Sequence, residues 1–180
     1  MKTPAEKERE ALLALDEMGI GYELIRHPAA ASMEECAAIG AGTGARHCKN
    51  LFCTNKRGTE FWLIMIGMDK RFRTSVISKL LGSTRLSFAG EEQLETVLGL
   101  TEGSVSVTGL INDGERRVHV AIDRDILAEE KMLIHPNINT ASLVVKTADV
   151  LEFIKRLGYG PEIIEVADFD DGRPPAAELP

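Results

Sequence analysis

Cysteine is scarce in this sequence, and its distribution argues against two common kinds of site. The chain of 180 residues contains three cysteines, Cys36, Cys48 and Cys53. An odd number without a Cys-x-x-Cys pair is the pattern of neither a disulfide framework nor a structural zinc site. A nucleophilic Cys48 with His47 as its base is disfavoured, because neighbouring residues of a strand point to opposite faces. We therefore expect small, half-buried thiols in a cytosolic protein.

Long apolar segments are also missing. The longest apolar run, FWLIMIGM at 61–68, is far shorter than the roughly 20 residues that a membrane-spanning helix needs. The N-terminus, MKTPAEKERE, is polar and charged, without the apolar stretch of a signal peptide. We expect a cytoplasmic protein that has no membrane partner.

The motifs of several large enzyme classes are absent. There is no GxxxxGK[ST] loop, no GxGxxG and no GxSxG elbow, and GAGTGA at 40–45 follows a predicted helix instead of a strand. The histidines His27, His47, His119 and His135 include no i, i+4 pair and no carboxylate cluster. We expect no metal and no cofactor, so that any catalysis rests on positioning and polarisation.

Negative charge dominates the chain, whereas positive charge is concentrated in residues 46–85, the basic segment. The formal net charge is −7, yet the basic segment carries nine Lys or Arg against two acids, leaving a balance of −14 for the other residues. The net charge opposes indiscriminate binding of nucleic acid, and no DNA partner is expected. The basic segment is either a solvated face with scattered charges or a patch that meets phosphate.

Hydrophobic periodicity and turn residues predict a mixed α/β (α+β) domain. Helices are predicted over 3–19, 32–42, 74–82, 90–99 and 147–158, and strands over 22–27, 49–55, 61–68, 85–89, 104–112, 117–123, 142–146 and 161–166. The irregular alternation favours helices around one curved, mixed or antiparallel sheet. We expect a single domain over 1–166 and a mobile, acidic, Pro-rich tail over 167–180.

Seven short stretches carry a family resemblance. They are KNLF (49–52), DKR (69–71), RLSFA (85–89), LGLTEGSV (98–105), GLIND (109–113), HPNINTAS (135–142) and FIKRLGYGPEIIE (153–165). In order and spacing they resemble the YbaK/prolyl-tRNA-synthetase-associated family of aminoacyl-tRNA deacylases, from about residue 5 to 166. Within that family the chain is most similar to the free-standing branch that hydrolyses alanine wrongly attached to proline tRNA.

The resemblance implies a set of site residues. The family's essential lysine falls on Lys49 and its partner asparagine on Asn50, and both are expected to be catalytic. The glycine-rich substrate loop falls on Gly103–Val107, and the histidine near the aminoacyl pocket falls on His135. Substrate contacts are therefore expected from Gly103, Ser104, Val105, Ser106 and His135. Many relatives have proline where this chain has Val107, so the loop is expected to be less rigid.

The resemblance implies a trans-editing hydrolase, metal-independent, that removes alanine from proline tRNA. The basic segment then contacts tRNA phosphates, and the expected contacts are Arg46, Lys56, Arg57, Lys70 and Arg71. The alternatives are a non-catalytic module that binds tRNA or an amino acid, and a deacylase for serine or cysteine. Prolyl-tRNA synthetase is an expected partner, and the oligomeric state stays open. Phe72 and Phe88 are expected in the core, and Trp62 in packing.

Overall fold

The computed structural model describes residues 2–30, 35 and 38–167 of the chain. Its helices are α1 (Pro4–Glu17), α2 (Thr74–Leu80), α3 (Glu91–Leu98), α4 (Arg124–Leu127) and α5 (Thr147–Arg156), with a 3₁₀ helix at Val107–Asn112. Its strands are β1 (Tyr22–Arg26), β2 (Cys48–Asn55), β3 (Phe61–Gly67), β4 (Leu86–Phe88), β5 (Val118–Asp123), β6 (Lys131–Ile134), β7 (Ala141–Lys146) and β8 (Glu162–Ile164).

Among the described residues these strands form two sheets. The small sheet has the order β1-β7-β6 and is antiparallel throughout. The large sheet has the order β4-β2-β3-β5-β8, in which β2 runs antiparallel to β3 and β4 while β5 runs parallel to β3 and β8. A single bridge between Arg46 and Met132 joins the sheets just before β2. The predicted mixed α/β class is confirmed, but its one curved sheet is divided into two.

The large sheet is covered on both faces, which explains its apolar central strand. Every residue of β3 is buried, as expected of a strand with packing on either side. One face packs with the small sheet and most helices into the main core, to which β2 contributes Phe52. The opposite face packs under α2 through Ile77, and β2 contributes Cys53 to it. Consecutive residues of β2 therefore enter two different clusters.

The N-terminal helix forms as the sequence predicts. The Thr3 hydroxyl accepts a hydrogen bond from the Glu6 N–H at 3.3 Å, and the Glu6 carboxylate accepts one from the Thr3 N–H at 2.7 Å. This reciprocal pair satisfies two backbone donors that a helix start leaves free. The helix buries Leu15 in the main core, while Leu13 is 52% exposed.

The predicted strand over 104–112 is wrong, because most of this segment forms the 3₁₀ helix. Most of its residues are buried, as they would be in a central strand. The side-chain hydroxyl of Thr108, however, bonds to a loop and not to a sheet. The Thr108 hydroxyl donates to the His135 carbonyl at 2.6 Å. Gly109 lies so close to Leu100 that an added Cβ would be 2.7 Å from the leucine Cδ1. Strand β6, which had no clear signal in the sequence, completes the small sheet instead.

Two expectations concern parts of the chain that the structure does not describe. Within the helix predicted over 32–42, residues 32–34, 36 and 37 are not described. Within the tail over 167–180, only the first residue is described. Both stay predictions, as does the domain boundary at 166. No helix within 2–30 or 38–167 is long and apolar enough to cross a membrane.

Helix α1 offers a matched test of the core. We expect Leu15→Ala to lower the free energy of unfolding by about 2–5 kcal/mol, because it empties a fully buried site. Leu13→Ala, on the exposed side of the same helix, should change it by less than about 0.5 kcal/mol. Urea unfolding of both variants measures the difference, and equal effects would contradict the described packing of α1.

Candidate active site

A cavity of about 190 Å³ lies where β2 of the large sheet approaches β6 and β7 of the small one. Part of its wall is apolar, including Met68, Leu133 and Ile134. The remainder is polar, and no carboxylate lines it among the residues that the structure describes. The polar side chains that line it are His27, His47, Asn50, His135, Asn139 and Ser142.

His135 lies in this cavity with a defined tautomer. Its Nδ1 is 2.9 Å from the Ala141 carbonyl oxygen, which can only accept, so Nδ1 carries the proton and Nε2 keeps a lone pair. Burial lowers the pKa of His135 below its ordinary value of 6.5, and the nearby His27 and His47 lower it further, although the bond to Ala141 opposes them. At neutral pH the ring is therefore an uncharged base.

The other two histidines are also held by carbonyl groups. His27 donates from Nδ1 to the Pro28 carbonyl at 2.8 Å, and its Nε2 is 2.9 Å from the Ser142 hydroxyl. His47 donates from Nε2 to the Ile39 carbonyl. The rings of His27 and His135 lie 6.3 Å apart between centroids. The three imidazoles thus surround one small space in fixed orientations.

Asn50 supplies an unpaired acceptor. Its Nδ2 donates weakly to the Cys48 sulfur at 3.8 Å, while its buried Oδ1 has no hydrogen-bond partner among the residues that the structure describes. A buried amide oxygen without a partner costs about 1–3 kcal/mol, and a ligand that donates to it recovers that energy. Asn50 is therefore positioned to bind a donor group in the cavity.

Cys48 is not arranged as a nucleophile. Burial raises the pKa of its thiol to about 12, so the reactive thiolate is absent at neutral pH. Its sulfur is 3.8 Å from the Leu133 carbonyl oxygen, to which the thiol donates weakly. Cys48 lines the cavity as a small, apolar side chain.

Lys49 does not enter the cavity between its two neighbours. It pairs with Ile66 across β2 and β3, so it lies on the face of the sheet opposite Cys48 and Asn50. Its Nζ donates to the Lys70 carbonyl at 2.6 Å. Met68, two residues before Lys70 in the chain, lines the cavity, whereas Lys49 does not.

Of the four loop residues expected to contact substrate, Gly103 lines the cavity, whereas Ser104, Val105 and Ser106 do not. Gly103 has a left-handed backbone (φ 81°), which a side chain would strain. The Ser104 hydroxyl donates to the Thr101 carbonyl at 2.7 Å, and the Ser106 hydroxyl accepts from the His135 N–H at 3.2 Å. Val105 is half-buried against the main core. The two serines therefore brace the loop and the following histidine.

Lys70 does not lie on the surface where a phosphate contact was expected. It is 3% exposed and forms ion pairs with Asp123 at 2.9 Å and Asp125 at 2.5 Å. It also donates to the Val166 carbonyl at 2.7 Å. Burial alone would lower the pKa of Lys70, but the hydrogen bonds to Asp125 and Asp123 raise it above its ordinary value. Lys70 is thus a structural residue that fixes the segment behind Lys49.

The remaining basic residues are dispersed. Arg46 forms ion pairs with Asp69 at 2.9 Å and Glu129 at 3.1 Å. Lys56 and Arg57 are exposed in the turn at the far end of β2, about 20 Å from Lys49 at the usual rise per strand residue. Arg71 is exposed next to Lys70. Of the five expected phosphate contacts, Lys56, Arg57 and Arg71 are exposed.

Sequence reasoning did not place His27, His47, Asn139 or Ser142 in the site. A histidine at the end of a strand, as in the sequence RHP at 26–28, was the available signal for His27. Its neighbours in space come from β7, which pairs with β1 in a register that places Ile25 opposite Ser142. No group of three or more metal-binding side chains is found among the residues that the structure describes.

Comparisons with known proteins agree on one family. A model described as an aminoacyl-tRNA editing domain matches residues 27–153. The chain is 33% identical over 159 residues to the prolyl-tRNA editing protein ProX of Acetoanaerobium sticklandii, covering 88% of this chain and 97% of that one. It is 30% identical over 161 residues to prolyl-tRNA synthetase associated domain-containing protein 1 of Xenopus laevis, covering 87% and 95%.

A solved structure supports the fold. It is described as a candidate trans-editing enzyme for prolyl-tRNA synthetase, and it superposes with a TM-score of 0.69 over 93% of this chain and 100% of that one. Its sequence identity is 18%, so this likeness concerns the fold alone.

The low pKa of His135 should make stability depend on pH. In the unfolded chain the ring binds a proton near pH 6.5, whereas in the folded chain it does so at lower pH. The contribution to the free energy of unfolding is therefore complete above pH 6.5 and is lost as the pH falls toward the folded pKa. We expect the free energy of unfolding, measured in urea, to fall less between pH 7.5 and pH 5.5 for His135→Asn than for the wild type. The asparagine amide can still donate to the Ala141 carbonyl but does not titrate. An equal fall in the variant and the wild type would contradict this expectation.

The buried ion pair of Lys70 gives a second expectation. Lys70→Met leaves the fully buried Asp123 carboxylate without its cation, which should lower the free energy of unfolding by about 3–5 kcal/mol. Lys79→Met removes an exposed lysine from the nearby α2 and should change it by less than about 0.5 kcal/mol. A comparably small effect of Lys70→Met in urea unfolding would argue that Lys70 is solvent-exposed.

Proposed function

Since this chain belongs to the aminoacyl-tRNA editing domain family, we propose that it is a deacylase that acts in trans on mischarged tRNA, and that its substrate is alanine attached to proline tRNA. The observation that carries the proposal is the small cavity, in which a neutral His135 and the unpaired oxygen of Asn50 lie together. The names of the relatives, which refer to prolyl-tRNA editing, support the choice of tRNA.

The chemistry of the proposal requires little from the protein beyond placement. An aminoacyl ester is already activated, so its hydrolysis needs a positioned water or hydroxyl and stabilisation of the oxyanion that develops. The Nε2 lone pair of His135 accepts a proton from the attacking water, directly or through the neighbouring ribose hydroxyl, and returns it to the ribose oxygen that leaves when the ester bond breaks. The Oδ1 of Asn50 accepts a hydrogen bond from the substrate's amino group. In this proposal the reaction is metal-independent.

Lys49 has a different task in this arrangement from the residues inside the cavity. Its ammonium is outside the cavity, on the other face of β2, where it donates to the Lys70 carbonyl at 2.6 Å. A flexible cation at this place suits the ribose and phosphate of the terminal adenosine, which lie outside when the aminoacyl group is inside. Lys49 then positions the ester and polarises it from the nucleotide side.

The size of the cavity supports a small aminoacyl group. The cavity has a volume of about 190 Å³. The methyl group of alanine fits beside the ester, whereas the proline ring requires more room, and exclusion by volume is the selection available to such a site. Serine and cysteine are second candidates, because the hydrogen-bonded His27 and Ser142 can also bond to a hydroxyl or a thiol.

The proposal includes the partners and the compartment. The substrate is an aminoacyl-tRNA, and prolyl-tRNA synthetase, which produces the mischarged species, is a candidate partner. The protein then acts in the cytoplasm, where translation takes place.

Release of labelled alanine from Ala-tRNA(Pro) tests the function. We expect the wild type to deacylate this species and to spare Pro-tRNA(Pro) and Ala-tRNA(Ala), with Ser-tRNA(Pro) and Cys-tRNA(Pro) reporting the second candidates. Lys49→Ala should lower kcat/KM on the order of 10²-fold, which is the usual loss when one stabilising group is removed.

A matched control shows whether the loss of activity depends on the position of the lysine or only on the removal of a positive charge. Lys155→Ala removes an exposed lysine on α5, outside the basic segment, and should leave kcat/KM unchanged. If the wild type binds the tRNA but releases no amino acid, the chain is a binding module and not an enzyme. If Lys49→Ala is folded and fully active, the role given to Lys49 is wrong.

A further inference from the structure

An aromatic pair, Phe72 and Phe88, lies at the edge of the large sheet outside the cavity. The two rings are tilted by 45° with centroids 5.3 Å apart. Phe72 is half-buried against the cluster under α2, which holds its ring in place. Phe88, expected in the core from the sequence, is instead 59% exposed on the edge strand β4. The exposed Phe88 ring packs against the half-buried Phe72 ring, so the pair presents a flat, rigid apolar face to solvent.

The surroundings of the aromatic pair are basic. Between residues 70 and 90 the chain has five Lys or Arg and no Asp or Glu. Lys70 is paired internally with Asp123 and Asp125. The other four, Arg71, Arg73, Lys79 and Arg85, are close to the pair in the sequence, and each is exposed or half-buried. On a chain with a net charge of −7 this is a segment of positive charge that contains both aromatic residues.

The aromatic pair is in line with Lys49. Phe88 lies opposite Cys53 across β2 and β4, so it shares a face of the sheet with Cys53 and Lys49. Lys49 is four residues before Cys53 on β2, which corresponds to about 14 Å. Phe72 follows Arg71 and Lys70, whose carbonyl holds the Lys49 ammonium. A chain of a few unpaired nucleotides can therefore extend from Lys49 to the rings.

We propose that Phe72 and Phe88 form a stacking platform for the unpaired bases at the 3′ end of the RNA, with the surrounding arginines and Lys79 on its phosphates. Exposed aromatic rings bordered by cations are the surface that single-stranded nucleic acid binds, because every base has a π-face. The inference rests on the proposed function, since it extends the path of the substrate from Lys49 to the aromatic pair. It also explains why an apolar ring is left exposed amid positive charge.

A second copy of the chain is the competing occupant, because β4 is an edge strand with open hydrogen-bonding groups. Three features favour RNA. Strand β4 has only three residues, the neighbouring cations would repel their own copies, and lysine or arginine at an edge discourages pairing between strands.

Binding of two RNA hairpins tests the platform without requiring catalysis. One hairpin carries a four-nucleotide unpaired 3′ tail ending in CCA, and the other has the same duplex with a blunt end. We expect the wild type to bind the tailed hairpin more tightly, and Phe88→Ala to weaken that binding about tenfold, the scale of one lost stacked base. Phe88→Tyr should retain binding and Phe88→Leu should not, because Leu keeps apolar area but lacks a π-face. The blunt hairpin should bind all variants alike.

Several outcomes would overturn the inference. Unchanged affinity of Phe88→Ala for the tailed hairpin would show that the rings do not contact bases. Full binding by Phe88→Leu would show an apolar contact without stacking. A wild-type dimer in sedimentation that becomes monomeric in Phe88→Ala would make the pair a protein interface. If instead the wild type releases no amino acid but shows the tail-dependent pattern, the proposed hydrolysis fails and the platform stands.

Discussion

The alternation of side chains along β2 is the constraint on which the rest of the site depends. Asn50 faces the cavity between the sheets, whereas Lys49 faces the other side, because a strand turns successive residues to opposite faces. The catalytic pair implied by the family resemblance is thereby divided. In the proposed function Asn50 meets the aminoacyl group and Lys49 meets the nucleotide, so that one strand recognises the two halves of one substrate from its two faces.

The buried charge of Lys70 links the two faces. Its side chain is fixed by Asp123, and its carbonyl holds the Lys49 ammonium at 2.6 Å. A buried ion pair is rigid because either partner alone would be a charge without solvation. The segment from Met68 to Phe72 is consequently held at one end of β2, where it lines the cavity with Met68 and supports the aromatic pair through Phe72.

Elements with local signals could be predicted from the sequence, and those that depend on distant contacts could not. The capping box of Thr3 and Glu6 specified a helix within four residues, and the run at 61–68 specified a buried strand. The basic tripeptide DKR gave no sign that Lys70 is buried, because its partner Asp123 lies far along the chain. His27 meets His135 only through the pairing of β1 with β7. The resemblance indicated His135 and Gly103, but the cavity's other histidines required the three-dimensional structure.

The most direct test of this account uses an unreactive analogue of the substrate's end, 3′-alanylamino-3′-deoxyadenosine, in which an amide replaces the ester. Its binding is followed by NMR of the Asn50 side-chain amide, the His135 ring and the Gly103 amide, compared with the methyl groups of Ile66 beside Lys49. We expect saturable shifts of the first three signals at a common dissociation constant, with smaller changes at Ile66. Shifts confined to the Ile66 face, with Asn50 and His135 unmoved, would contradict the claim that the cavity receives the aminoacyl group.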